Sequence, residues 1–335
     1  MSEDAPFRTR RDKGESNPRD LRYPPLPEPL EVGTYDNHTH FDFADGEHPL
    51  SASEQLDLAN STGILGVVQV GVTLESSIWS ANLASREPRV LAAVALHPNE
   101  APLYENEDAL RAAIAEIELL AAQPRVRAIG ETGLDFYRTE GDDLLGLQQL
   151  SFEEHIRIAK ENNIALMIHD REAHDEVYET LLRVGAPDKV VMHCYSGDLD
   201  FAKKCADQGW YMSFAGNITI KRNQHLRDCV EWAPKELLLV ETDAPFLTPE
   251  PYRGRPNASY LVPITVRKMA ELRGLDENEM AAALADKGGD NAEYLDGLVK
   301  VGEFFLARQV PRVHSLLAEI EAGSESLMAM AANQF

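Results

Sequence analysis

The chain has 335 residues, 44% of them hydrophobic, and a formal charge of −24. That length holds one large domain or two ordinary ones, with enough apolar content for a full core. The acidic balance argues for high solubility and against a generic basic nucleic-acid-binding surface, although bound divalent cations and a local basic rim can still attract phosphates. The three cysteines, Cys194, Cys205 and Cys229, show no C-x-x-C spacing, which points to free thiols in a reducing compartment. No stretch approaches the roughly 18 apolar residues of a membrane span. The Arg10-Arg11 pair is followed by charged and proline-rich sequence rather than by a signal-peptide apolar region. A cytoplasmic protein with no membrane partner is expected.

Residues 1–31 carry Pro6, Pro18, Pro24, Pro25, Pro27 and Pro29, and such a segment forms an extended surface arm or stays disordered. Residues 32–296 alternate between strand and helix patterns. Strands are expected near 33–38, 64–70, 90–96, 126–131, 164–169, 190–193, 210–214 and 237–241. Helical spacing is clearest at Leu110, Ala113, Ile114, Ile117 and Leu120 within 108–121, and at Leu150, Ile156 and Ile158 within 147–162. Gly133, Gly197 and Gly216 follow strands, as βα loops require. This rhythm predicts an α/β fold, a (β/α)8 TIM barrel, which typically occupies about 250 residues. Residues 297–335 are expected to form a short helical C-terminal extension, with an amphipathic helix over 313–322.

Six apolar runs end in residues able to bind a metal. They lead into His38 and His40, His97, Glu131, His169, His193 and Asp243. A parallel barrel produces this punctuation, because its active site is built from the C-terminal ends of different strands. Imidazole and carboxylate without a thiolate partner suit Zn²⁺, Mn²⁺ or a related divalent ion.

His38 and His40 lie two apart on a strand, so both side chains share one side and can reach one ion. Asp36 shares that side and is placed to orient an imidazole from behind. Glu131 closes an apolar strand between Gly130 and Gly133, where close approach is possible, and its two oxygens can bridge two ions. His169 and His193 end consecutive strands. Cys194 follows His193, but neighbours on a strand point to opposite faces, which disfavours a Cys-His nucleophile. Asp243 at the mouth can ligate an ion and handle the proton.

The ordered set Asp36 to Asp42, Leu96-His97-Pro98, Ile129 to Tyr137, Ile168 to Ala173, His193 to Gly197, Ile218 to Lys221, Glu241 to Pro245 and Pro251 to Gly254 resembles the TatD-type metal-dependent deoxyribonucleases, a branch of the amidohydrolase-like barrels. The resemblance implies two divalent ions (Zn, Mn or Mg). His38, His40, Glu131 and Asp243 would hold one, and Glu131, His169 and His193 the other, with Asp36 and His97 behind the ligands. A bridging hydroxide would attack phosphorus, with Glu131 and Asp243 as catalytic carboxylates. The segment Arg253-Gly254-Arg255-Pro256-Asn257 inserts a proline into the family's basic run, and Ser259 stands where the family carries proline. These departures touch the substrate-side loop and leave the ligands intact.

The expected activity is cleavage of DNA phosphodiester bonds, as an exonuclease on single strands or 3′ ends. Arg138, Arg171, Lys221, Arg253 and Arg255 are the candidate phosphate contacts. The same ligands can also serve hydrolysis of esters, amides or aminoacyl-tRNA. A third alternative is a non-catalytic metal-binding interaction protein.

Overall fold

The computed structural model describes residues 4–10 and 19–285. Eight parallel strands form a nearly closed barrel: β1 Thr34–Thr39, β2 Ile64–Val70, β3 Val90–Val94, β4 Val126–Asp135, β5 Ala165–Arg171, β6 Val190–Met192, β7 Tyr211–Phe214 and β8 Leu238–Val240. Each strand is hydrogen-bonded to the next in chain order. Eight helices alternate with them: α1 Ala52–Ser61, α2 Leu74–Arg86, α3 Glu107–Ala121, α4 Asp142–Asn162, α5 His174–Val184, α6 Leu199–Asp207, α7 Gln224–Trp232 and α8 Val262–Arg273. A further helix, α9 Glu277–Ala285, follows. This is a TIM barrel. The C-terminal helix expected at 313–322 lies outside the described residues.

Strand alternation separates the core into two layers. Val68, Val70, Leu91, Ala93, Ala128, Ala165, Met167, Val191 and Leu239 fill the barrel interior. Their neighbours Val67, Val90, Ala92, Val94, Ile129, Leu166 and Ile168 face outward into the larger core beneath the helices. Phe152 on α4 is wholly buried in that outer layer, and truncating such a side chain to alanine costs about 3–5 kcal/mol. Local signals set the helix starts. Ser51 and Glu54 form a reciprocal capping box at α1, and the Asn106 side chain accepts from the Ala109 N–H at α3.

The seam between β1 and β8 is closed by loop peptides rather than by a ladder. Thr39 bridges to Ala244. The His40 N–H donates to the Ala244 carbonyl at 2.8 Å, and the Asp243 N–H to the His38 carbonyl at 2.9 Å. Asp36 reinforces the seam. Its buried carboxylate accepts from the Thr242 hydroxyl at 2.6 Å, the Thr242 N–H at 2.8 Å and the His38 N–H at 3.3 Å. This corrects the expectation that Asp36 orients an imidazole: its oxygens are occupied by backbone and hydroxyl donors across the seam. Burial pushes this carboxyl up to about 7.

Candidate metal centre

The interior parity carries ligands to the barrel mouth. Met167 on β5 and Val191 on β6 point inward, so His169 and His193, two residues further on, do too. Unbroken alternation from Ala128 would turn Glu131 outward. The β4–β5 register shifts between Ile129 and Thr132, and such an irregularity re-aims a side chain. Thr132 then faces α4, where its hydroxyl meets His155 Nδ1 at 2.8 Å, and Glu131 enters the site. The glycines beside Glu131 serve this strand packing rather than a ligand's approach. A Cβ on Gly130 would stand 2.5 Å from that of Met167, and one on Gly133, whose φ is +133°, would strike the His169 carbonyl oxygen.

The two oxygens of Glu131 face different neighbours. Oε2 lies 3.6 Å from His38 Nε2 and 3.8 Å from His40 Nε2. Those two nitrogens stand 3.1 Å apart, and Asp243 Oδ1 lies 3.8 and 3.4 Å from them. Oε1 lies 2.7 Å from His169 Nδ1, 3.4 Å from His193 Nε2 and 3.3 Å from His97 Nε2. Donors at about 2.0–2.1 Å from a tetrahedral ion are separated by about 3.4 Å. The spacings around His38, His40 and Asp243 therefore suit a divalent cation. Among the described residues, three donor groups converge: His38, His40 and Asp243; His38, Glu131 and His193; and His97, Glu131 and His169. His169 and His193 both touch Oε1 of Glu131 but fall in separate groups.

Hydrogen bonds identify which nitrogens carry protons. His40 Nδ1 lies 2.9 Å from the Val70 carbonyl, an acceptor only, and His38 Nδ1 lies 3.0 Å from Met167 Sδ. In its neutral form each ring thus directs its Nε2 lone pair into the centre. His97 is reversed. Its Nδ1 accepts from the Asn99 N–H at 3.0 Å, so the neutral ring carries its proton on Nε2 and offers it to Glu131. Its place is behind the carboxylate rather than on an ion.

Two carboxylates behind the imidazoles escaped the sequence reading as orienting groups. Glu241, wholly buried, lies 2.9 Å from His193 Nδ1 and accepts from the Cys194 N–H at 2.9 Å. Asp135 lies 3.1 Å from His169 Nε2 and accepts from Asn99 at 2.8 Å. Glu241 had one legible signal, its place two residues after inward-facing Leu239 and two before Asp243.

Charge in the centre is strongly redistributed. Burial opposes ionisation of Glu131, but the surrounding histidines His97, His193 and His169 hold it well below the usual carboxylate range. Burial drives His38 down to about 3. Burial also opposes charging of His193, yet Glu241 and Glu131 raise it well above the ordinary value; His169 rises between Asp135 and Glu131 in the same way. Without an ion, protons on these rings balance the carboxylates. Cation uptake at the same atoms must release them. Cys194 is pushed well up by burial and nearby carboxylates, which keeps it a thiol and removes it as a nucleophile.

The cations expected at the rim do not share one setting. Arg171 lies 3.9 Å over the ring of Tyr137, which is 53% exposed. Arg138, Lys221 and Arg253 are exposed. Arg255 is turned away from phosphate binding. Its guanidinium donates to the carbonyls of Arg22 at 2.8 Å and Tyr23 at 2.5 Å, and lies 3.6 Å from Asp20. The exposed acceptors of the N-terminal arm capture it.

The profile of the TatD-related DNases matches residues 35–287. The chain belongs to the TatD-related DNase family. Over 250 residues it is 43% identical to TatD of Mycobacterium tuberculosis, an uncharacterized metal-dependent hydrolase, covering 73% of this chain and 92% of the relative. It is 34% identical over 254 residues to the metal-dependent hydrolase YcfH of Escherichia coli, with 75% and 92% covered. The crystal structure of YjjV, a TatD homolog from Escherichia coli K12, superposes with a TM-score of 0.68 at 28% identity, covering 79% of this chain and 97% of that one. The chain is thus a metal-dependent hydrolase of the TatD family. No helix among the described residues is long and apolar enough to cross a membrane.

Proposed function

We propose that this TatD-family chain hydrolyses phosphodiester bonds of DNA, as an exonuclease on single strands or 3′ ends, with two divalent ions (Zn²⁺, Mn²⁺ or Mg²⁺) at the barrel mouth. The observation that carries this reading is the division of Glu131, whose Oε2 faces His38 and His40 while its Oε1 faces His169 and His193. His38, His40, Asp243 and Oε2 would hold one ion; Oε1, His169 and His193 would hold the other. When bound, such ions neutralise phosphate oxygens and lower the pKa of water toward 7.

The chain's own groups do the rest. The Asp243 side chain, 15% exposed, reaches the opening further than His38, His40 or Glu131, and its carboxylate takes the proton of the attacking water. Glu241 and Asp135 fix the rings of His193 and His169. Tyr137, with Arg171 on one face, offers a stacking surface for a nucleobase, and sequence-tolerant stacking of this kind is worth about 1–3 kcal/mol per base. Arg138, Lys221 and Arg253, all exposed, are the proposed phosphate contacts on an acidic body, so binding is expected to weaken with salt. The three cysteines are free, which supports a reducing, cytoplasmic setting.

The test is a panel of substrates offered to purified protein of defined metal content: single-stranded and duplex DNA, RNA, aminoacyl-tRNA and simple esters. Nucleotides released stepwise from the 3′ end of single strands are expected. Hydrolysis of esters or aminoacyl-tRNA with DNA left intact would overturn the reading.

A further inference from the structure

The segment before residue 35 lies outside the family match, yet part of it is built into the mouth of the barrel. Arg8–Thr9 pairs in parallel with Phe43–Ala44, just beyond His40. Asp45, 7% exposed, receives Arg10 at 3.3 Å and Arg19 at 2.9 and 3.2 Å. Arg10 also donates to the Pro245 carbonyl at 2.7 Å and lies 5.0 Å over the ring of Phe246. Arg19 adds a bond of 2.9 Å to the Gly254 carbonyl on the same β8–α8 loop.

These contacts meet at one ligand. Phe43 and Phe246 pack edge to face at 5.5 Å, and both rings stand edgewise to His40, at 6.0 and 6.3 Å. The Val70 carbonyl holds the other side of His40 through Nδ1. Arg8, 4.1 Å over Phe43 and 3.2 Å from buried Asp42, holds the first of these phenylalanines as Arg10 holds the second. A single guanidinium, that of Arg10, therefore joins the loop five residues past His40 to the carbonyl two residues past Asp243. It does so across the seam that has no strand ladder.

We propose that the N-terminal arm is a clamp on the metal centre, and that Arg10 is a positioning residue setting the distance between His40 and Asp243. The proposal rests on the reading of His38, His40 and Asp243 as an ion site. Ligand geometry must be kept within about 0.5 Å to be productive, and the groups that keep it are those bonded behind the ligands. With Arg10 gone, Asp45 keeps Arg19, but Phe246 loses its cover and the Pro245 carbonyl loses its donor. The β8–α8 loop is then held by Arg19 and the seam peptides alone, and Asp243 gains room to shift relative to His40. Among the described residues, the arm's contacts named above fall on the His40 and Asp243 side, so the His169 and His193 side should be unaffected.

The experiment is Mn²⁺ titration of the full chain, read by electron paramagnetic resonance and by metal content after gel filtration. Wild type, Arg10→Ala, His40→Ala and the double variant are compared, with thermal unfolding recorded for each. Arg10→Ala should weaken the ion that His40→Ala abolishes by about tenfold, a loss typical of outer-shell partners, and leave the other ion within about twofold. In the His40→Ala protein, Arg10→Ala should change nothing further. Arg10→Lys keeps the charge for Asp45 but not the planar face on Phe246; it should show a smaller loss at the same ion, and it carries the test if the alanine variant does not fold. Equal weakening of both ions, or a lowered unfolding temperature with both affinities intact, would overturn the clamp. Wild-type protein that takes up no Mn²⁺ would overturn the metal-site reading itself, a result distinct from failure of the clamp alone.

Discussion

His169 presents Nδ1 to Glu131 at 2.7 Å and turns Nε2 to Asp135 at 3.1 Å. Carboxylates at both nitrogens favour the doubly protonated ring, and an ion bound at either nitrogen would displace a proton. Its burial works against that charge, but Asp135 and Glu131 prevail and raise its pKa. A dication bound on this side of the centre would therefore be taken up in exchange for a proton. Four consequences of the site and its surroundings can be measured.

Glu131→Gln keeps the shape of the side chain and removes the charge that both ligand sets share. Affinity for at least one ion should fall, and turnover should drop by about two or more orders of magnitude. Elemental analysis beside single-turnover kinetics checks this. Near-normal activity with normal metal content would refute a bridging role.

Glu241→Gln acts one layer further out. The amide no longer supplies the charge that draws a proton to His193 Nδ1, 2.9 Å away, so the ring loses its fixed tautomer. Metal affinity or activity should fall by about tenfold, and isothermal titration with Zn²⁺ would register it. An unchanged affinity would show that the ring is held by packing alone, through its 3.6 Å stack on His38.

The pair formed by His174 Nδ1 and Asp170 Oδ2, 2.6 Å apart, sets a pH dependence of stability. The hydrogen bond that His174 donates to Asp170 raises the His174 pKa above 6.5. A raised histidine stabilises the fold fully below its unfolded value and loses that contribution as pH rises through the folded value. The stability gap between wild type and Asp170→Asn, taken on metal-free protein by denaturant titration, should be widest just below 6.5 and close above the folded pKa. A gap that widens with pH would contradict the assignment.

Arg253 and Arg255, two residues apart, should separate cleanly. Arg253→Ala should weaken DNA cleavage, reduce the logarithmic salt slope of binding by about 1, and spare a small phosphodiester. Arg255→Ala should instead cost about 1–3 kcal/mol of stability through lost bonds to the Arg22 and Tyr23 carbonyls, with little change in salt slope. The reverse pattern would return Arg255 to the substrate.

The barrel was legible because each strand is a short apolar run closed by a polar residue. Strand positions agree to within a few residues, except that β4 continues to Asp135 and α4 begins at Asp142 rather than near 147. The first difference is backbone pairing that crosses Thr132-Gly133, where apolar content has already ended. Strand ends pointed to His38, His40, His97, Glu131, His169, His193 and Asp243 together, and these donors do gather at the mouth; their division between ions came only from the family resemblance. What stands behind them was not legible. Asp135 and Glu241 act through rings on neighbouring strands, a relation set by register and not by spacing. Asp36 was assigned the wrong partner, since Thr242 lies across the seam. Proline content suggested an extended arm or disorder, and nothing in composition told that Arg10, Arg19 and Arg255 tie its described residues to the mouth.

Asp36 holds Thr242 across 206 positions of sequence, and the seam it braces sets the order of events during synthesis. The two histidines of β1 leave the ribosome early, while the carboxylate that completes their donor set emerges near the end of the barrel. No partial barrel can bring them together. Readiness of the His38, His40 and Asp243 donors to take up a cation is therefore a late property of the growing chain, gained in the same step that joins its last strand to its first. A product released before Asp243 would carry all the imidazoles of the centre and none of the enclosure.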